Sequence, residues 1–129
     1  MLKPVLPNPE SDSRLAYSQG ILARGETRTL YIAGQVGVDP AGVAAPLFEA
    51  QVRQAWRNLL AVLAAADMKV SDLAKVTVYL IRESDYAAYA ALRGEFLGPH
   101  KPASTLVVAK ALARPEWEFE IEAIAVATA

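Results

Sequence analysis

Residues 47–66 carry one unbroken apolar stripe. Val52, Trp56, Leu59, Leu63 and Ala66 recur at three- and four-residue steps, the period of an α-helix that buries one face. Pro46 suits the first turn, Glu49 and Arg53 form a favourable i,i+4 pair, and Asp67 takes the stop position where glycine is more usual. So one-sided a helix must be covered, and the rest of the chain supplies short β-prone runs to cover it. Residues 17–23 and 29–33 flank Arg24-Gly25-Glu26, a hairpin signal. Asp39-Pro40-Ala41-Gly42 is a turn. Residues 73–81 alternate and are β-branched, and residues 105–109 and 117–127 read as the last strands. Ser84 or Asp85 is placed to cap a second helix through Phe96, on which Tyr86, Tyr89, Arg93 and Phe96 share a face and which Gly98-Pro99 ends. Residues 1–14 read as an irregular arm. Helices that interrupt strands of one sheet predict an α+β domain with the helices on one face.

A chain of 129 residues suits one domain with one core. Hydrophobic residues make up 53%, enough that a partner surface is expected to hide some of them, which favours a homo-oligomer. Net charge is −1 and the 13 basic residues form no run, against a nucleic-acid footprint. No apolar run is long enough to cross a membrane, and residues 1–10 hold Pro4, Pro7 and Pro9 without the apolar stretch of a secretory leader. There is no cysteine, which excludes disulfides, thiolate metal sites and a Cys nucleophile and fits a reducing cytoplasm. The single histidine, His100, cannot supply a multi-histidine metal site. In a polar loop it is expected to be exposed; with Glu95 or Asp85 beside it, it would be a general base.

Residues 117–126 place Glu118, Glu120 and Glu122 on one side of a strand and Trp117, Phe119 and Ile121 on the other. A row of carboxylates usually means a solvated face. This one continues as Ile124 and Val126, which favour burial. A carboxylate at such a border tends to hold its proton more tightly, which suits proton transfer. No P-loop, dinucleotide fingerprint or Ser-His-Asp order is present.

The segments His100-Lys101-Pro102-Ala103-Ser104-Thr105 and Glu120-Ile121-Glu122-Ala123-Ile124-Ala125-Val126, with Tyr17-Ser18-Gln19 and Ala33-Gly34-Gln35 upstream, resemble the reactive-intermediate deaminase family (RidA, also YjgF or L-PSP). The resemblance spans residues 15–127. It implies a chorismate-mutase-like fold, a mixed six-stranded sheet with two helices on one face, assembled as a homotrimer with a cleft between each pair of subunits. It implies hydrolysis of a reactive imine or enamine, with no metal and no cofactor, of a small molecule bound in that cleft. Glu120 matches the family's site glutamate, which holds or activates the attacking water, and Tyr17 the tyrosine that hydrogen-bonds substrate or water. Glu122 is expected to be structural and Glu118 exposed. Gly34 and Gln35 match a Ser-Gly-Gln segment in which Ala33 replaces the serine, and their main chain is an expected ligand contact.

The chain departs from that pattern at the carboxylate anchor. Deaminating members place an arginine after the Pro-Ala pair; here Ser104 follows, and the next arginine is Arg114. Whether the arginine is substituted by Ser104 or deleted with compensation in residues 111–116, the position lacks a cation. A hydrogen bond to a charged group contributes roughly 1.5–3 kcal/mol, so carboxylate binding is expected to weaken by roughly tenfold to over a hundredfold. An ionised Glu120 would also repel an anion in a partly dry cleft. A neutral or cationic ligand is therefore expected, unless Lys101, Lys110, Arg114 or a neighbouring subunit restores the charge. Ala90 stands where deaminating members often carry an asparagine. Ser104, Thr105 and the Gly34 main chain are the expected hydrogen-bonding groups, with Tyr89 and Trp117 on the wall. Two other readings stand beside the enzyme: a non-catalytic small-molecule binder, and an interaction or chaperone-like trimer with a vestigial cleft. The scattered cations and the lone histidine argue against endoribonuclease activity.

Overall fold

The computed structural model describes all 129 residues. Its strands are β1 (Leu2–Val5), β2 (Gly20–Ala23), β3 (Thr27–Val36), β4 (Leu73–Leu80), β5 (Ala103–Val108) and β6 (Phe119–Thr128). Its helices are α1 (Pro9–Asp12), α2 (Phe48–Ala65), α3 (Tyr86–Leu92) and α4 (Gly94–Leu97). The main sheet has the order β3-β6-β4-β5, antiparallel except for the parallel β4–β5 pair. This is the expected α+β arrangement with a mixed sheet.

The stripe on α2 lies against that sheet. Val52, Ala55, Trp56, Leu59 and Leu63 are buried, and they meet Val76, Val78 and Leu80 of β4 and Phe119, Ile121, Ala123 and Ala125 of β6. Each large side chain removed from water here is worth roughly 1.5–3 kcal/mol. The stop falls where Asp67 adopts φ 56°, and Met68 N–H returns to the Leu63 carbonyl at 2.9 Å. The Arg28 guanidinium donates to the exposed Ala66 and Asp67 carbonyls at 2.6 and 2.9 Å, placing a cation at the negative end of the helix.

Four expectations are corrected. Residues 1–14 are not irregular: β1 and α1 form there, and the edge ribbon tolerates Pro4. The runs either side of Arg24-Gly25-Glu26 do not pair with each other; β2 pairs with β1, and β3 crosses to β6. The six strands are divided into a four-stranded sheet and a β1–β2 ribbon, which touch through one parallel bridge between Ser18 and Ala103. The second helix is broken at Arg93 into α3 and α4, and Asp85 does not cap it with its side chain. That carboxylate is instead drawn to Arg82, 3.0 Å away.

Candidate functional site

The helices cover one face of the sheet and leave the other bare. On β6 the alternation puts Phe119, Ile121, Ala123 and Ala125 inward and Glu120, Glu122, Ile124 and Val126 outward. The register extends this outer face to Lys75, Thr77 and Tyr79 of β4, to Ala103, Thr105 and Val107 of β5, and to Tyr31 and Val36 of β3.

Glu120 and Gly34 meet at a fault in the ladder. Ile32 pairs with Ala123 and Gln35 with Ile121, so β3 carries one extra residue at Ala33-Gly34. Such a bulge bends the strand and re-aims its neighbours. Here it brings the Gly34 backbone over the Glu120 carboxylate: a Cβ on Gly34 would lie 1.8 Å from Glu120 Oε2. Only a residue with no side chain permits that approach. Burial raises the Glu120 pKa above the ordinary carboxylate range, and the neighbouring Glu122 adds to the rise. Glu122 accepts the Tyr79 hydroxyl, and that bond, with burial behind it, raises the tyrosine's own pKa.

The other expected site residues divide. Thr105 is on the outer face, where its Oγ1 accepts from Lys75 Nζ at 2.5 Å. Gln35 pairs with the inward Ile121 and donates its amide to the Ala33 carbonyl at 3.0 Å, fastening the bulge. Tyr17 sits beyond β5, beside the Ser18–Ala103 bridge, and opens into a recess of about 450 Å³ shared with Leu2, Asp12, His100 and Lys101. Four residues along the strands and three strand spacings across separate Ser18 from Glu120 in the register, about 20 Å between Cα atoms at the usual strand dimensions.

Several placements overturn what the sequence suggested. Ser104 pairs with the core residue Val76 and shares its helix-side face, so within one chain it does not look toward Glu120. Tyr89 is buried against Phe119 at a ring separation of 5.2 Å, on the far side of the sheet, and burial pushes its phenol up to about 12. Glu118 is not exposed but clasped by Arg82 at 2.7 Å. His100 is half-buried, with Nε2 donating to the Leu73 carbonyl at 2.7 Å, a bond that holds its loop to β4. Glu122 has the structural partner expected of it, in Tyr79. Two outer-face residues were overlooked, Lys75 and Tyr79, although the Lys75-Val76-Thr77-Val78-Tyr79 alternation puts them together. No group of three His, Asp or Glu side chains is close enough to hold a metal ion, and no helix is long and apolar enough to cross a membrane.

The helix-backed mixed sheet is a fold that known proteins share. The Endoribonuclease L-PSP family model matches residues 9–127. The chain belongs to this family, the RidA/YjgF/L-PSP proteins. It is 38% identical over 111 residues to a RutC family protein of Pyrococcus horikoshii, covering 84% of this chain and 85% of the relative. It is 38% identical over 97 residues to the 2-iminobutanoate/2-iminopropanoate deaminase of Salmonella typhimurium, covering 72% and 75%. Among solved structures, a Rid-family protein of unknown function from Yersinia pestis superposes with a TM-score of 0.82 at 30% identity, covering 96% and 97% of the two chains. RidA from an Antarctic Psychrobacter superposes at 0.73 with 31% identity, covering 95% and 91%.

Proposed function

We propose that this protein hydrolyses a reactive imine or enamine in clefts between three copies of the chain, and that its substrate is not a simple 2-imino acid. The observation that carries the reading is the junction of Gly34 with Glu120. The relatives named as 2-iminobutanoate/2-iminopropanoate deaminases support the reaction type. Glu120 accepts a proton from water as the water oxygen bonds to the C=N carbon, whose π pair moves to nitrogen. Glu120 returns that proton to the nitrogen, giving a carbinolamine. It then takes the hydroxyl proton as C=O forms and passes it to the nitrogen as the C–N bond breaks, and ammonia leaves. One water is consumed for each imine. A carboxylate that keeps its proton above the usual range is suited to both transfers. Tyr17 is too far from Glu120 to join it within one chain, so a neighbouring copy brings it to the cleft.

Substrate class follows from the cations. The imine carbon of a 2-imino acid is bonded directly to its carboxylate, so an anchoring cation must lie within a few ångströms of the reacting carbon. Ser104 carries no charge. Lys75 shares the outer face, but its register partner is Ile124, four residues from Glu120 on β6. Lys101 shares the recess that holds Tyr17 and would arrive with it from the neighbouring copy, but its ammonium is turned to the Ser13 carbonyl at 3.1 Å. The cleft therefore favours a neutral or cationic imine.

Ammonia release from imines generated in situ tests this. Neutral imines are expected to be hydrolysed faster than 2-iminobutanoate, and Gly34→Ala is expected to lower kcat/KM by about a hundredfold, since an ångström of misplacement has that effect. No acceleration of any imine over buffer sinks the reading and leaves a binding or interaction trimer. Faster hydrolysis of 2-iminobutanoate sinks the substrate assignment alone.

A further inference from the structure

We infer that Tyr79 is a positioning residue of this site: by donating its hydroxyl to Glu122 it engages that carboxylate beside Glu120, so that Glu120 is the member of the pair left to carry the travelling proton. The inference rests on the hydrolytic reading for its consequence in turnover, but the division of labour between the two carboxylates does not depend on that reading.

Glu120 and Glu122 are two residues apart on β6 and point to the same face. Tyr79 lies directly across from Glu120 in the register, yet its hydroxyl goes to Glu122. A donated hydrogen bond favours the charged form of the acceptor. Glu120 has no such donor; it has the Gly34 backbone above it and a half-buried setting. Two neighbouring carboxylates titrate as a coupled pair, and an asymmetry of this kind decides which holds the last proton. The other groups on the face do not disturb it. Lys75 on β4 is engaged with Thr105, β3 offers only the exposed Tyr31, and β5 contributes Ala103, Thr105 and Val107, none of which titrates. Glu118 lies past the strand end in the grip of Arg82.

Two variants separate the possibilities. Tyr79→Phe removes only the hydroxyl. Glu122→Gln removes the neighbouring charge and keeps an acceptor for Tyr79. The side-chain carboxyl carbons of glutamate-labelled protein are followed by NMR against pH, with the Glu120 resonance assigned from its loss in Glu120→Gln. In the parent, Glu120 is expected to titrate above Glu122. In Tyr79→Phe the gap narrows, and the Glu120 midpoint falls by about half a unit as Glu122 begins to share the proton. In Glu122→Gln it falls by about one unit. The acid limb of imine hydrolysis moves to lower pH by the same amounts. A Glu120 midpoint unmoved by Tyr79→Phe, or Glu122 titrating above Glu120 in the parent, overturns the inference. Because the titration needs no substrate, a protein that turned over no imine yet showed these shifts would fail the proposed reaction and keep the positioning pair.

Discussion

Glu120 shows how much one side chain's surroundings decide. Burial and Glu122 hold its native pKa above that of the unfolded chain. The native state then binds the Glu120 proton more tightly, so this group's stabilising contribution is full below the unfolded value of about 4.3 and is lost as pH rises through the higher native value. Glu120→Gln is accordingly expected to raise Tm at pH 7 and to leave it unchanged near pH 3.5, as followed by circular dichroism. A variant less stable than the parent at pH 7 would show that the carboxylate is favourably paired. The outward face of Glu120 was legible because it follows from strand alternation alone. The faces of Ser104 and Tyr89 were not legible because neighbours in sequence do not fix a face. Ser104 takes its side from the parallel register of β5 on β4, and Tyr89 from the rotation of α3 over Phe119; both are set by tertiary packing.

At the level of elements, the join between α2 and the strand ends holds the site in place. Gln51 is a buried polar residue on an otherwise apolar helix face, and its stripe position gave no hint of its partners. Its amide donates to the Ala45 and Glu116 carbonyls, each at 2.9 Å, and its oxygen accepts the Glu118 N–H at 2.9 Å. One side chain thereby ties both loops to the start of β6, two residues before Glu120. Gly37 packs onto the same point, with space for no side chain: a Cβ there would lie 2.4 Å from Gln51 Cα. Gln51→Leu preserves volume and helix propensity but strands the Glu118 N–H and two carbonyls. The expected loss is about 2–4 kcal/mol, measured by urea denaturation; less than about 1 kcal/mol would mean that water enters to satisfy those groups. The stripe of α2 and the alternation of β4 and β6 were readable because they are local periodicities. The partners of β2 and β3 were not, because a short Gly-containing connection is compatible with a hairpin and with a crossover alike, and the β6 edge lies about a hundred residues away.

On the scale of the whole molecule, the bare sheet face and the separated site residues have one explanation in common. An antiparallel sheet can face water on one side, but this face mixes Ile124, Val126, Val107 and the 77% exposed Tyr31 with its carboxylates, a composition suited to partial cover by another copy. In a closed ring, each cleft would take Tyr17 from one protomer and Glu120 from the next. Mixed assemblies test that arrangement without locating the ligand. Tyr17→Phe and Glu120→Gln are each expected to inactivate a trimer built from one variant. When the two are unfolded together and refolded at equal concentration, a cleft regains both groups only if a Glu120→Gln subunit supplies the tyrosine and a Tyr17→Phe subunit the glutamate. Random assembly meets that condition in about a quarter of clefts, so ammonia release should recover to about a quarter of the parent rate. Were both groups drawn from the same chain, every cleft in the mixture would lack one of them, and refolding would restore nothing.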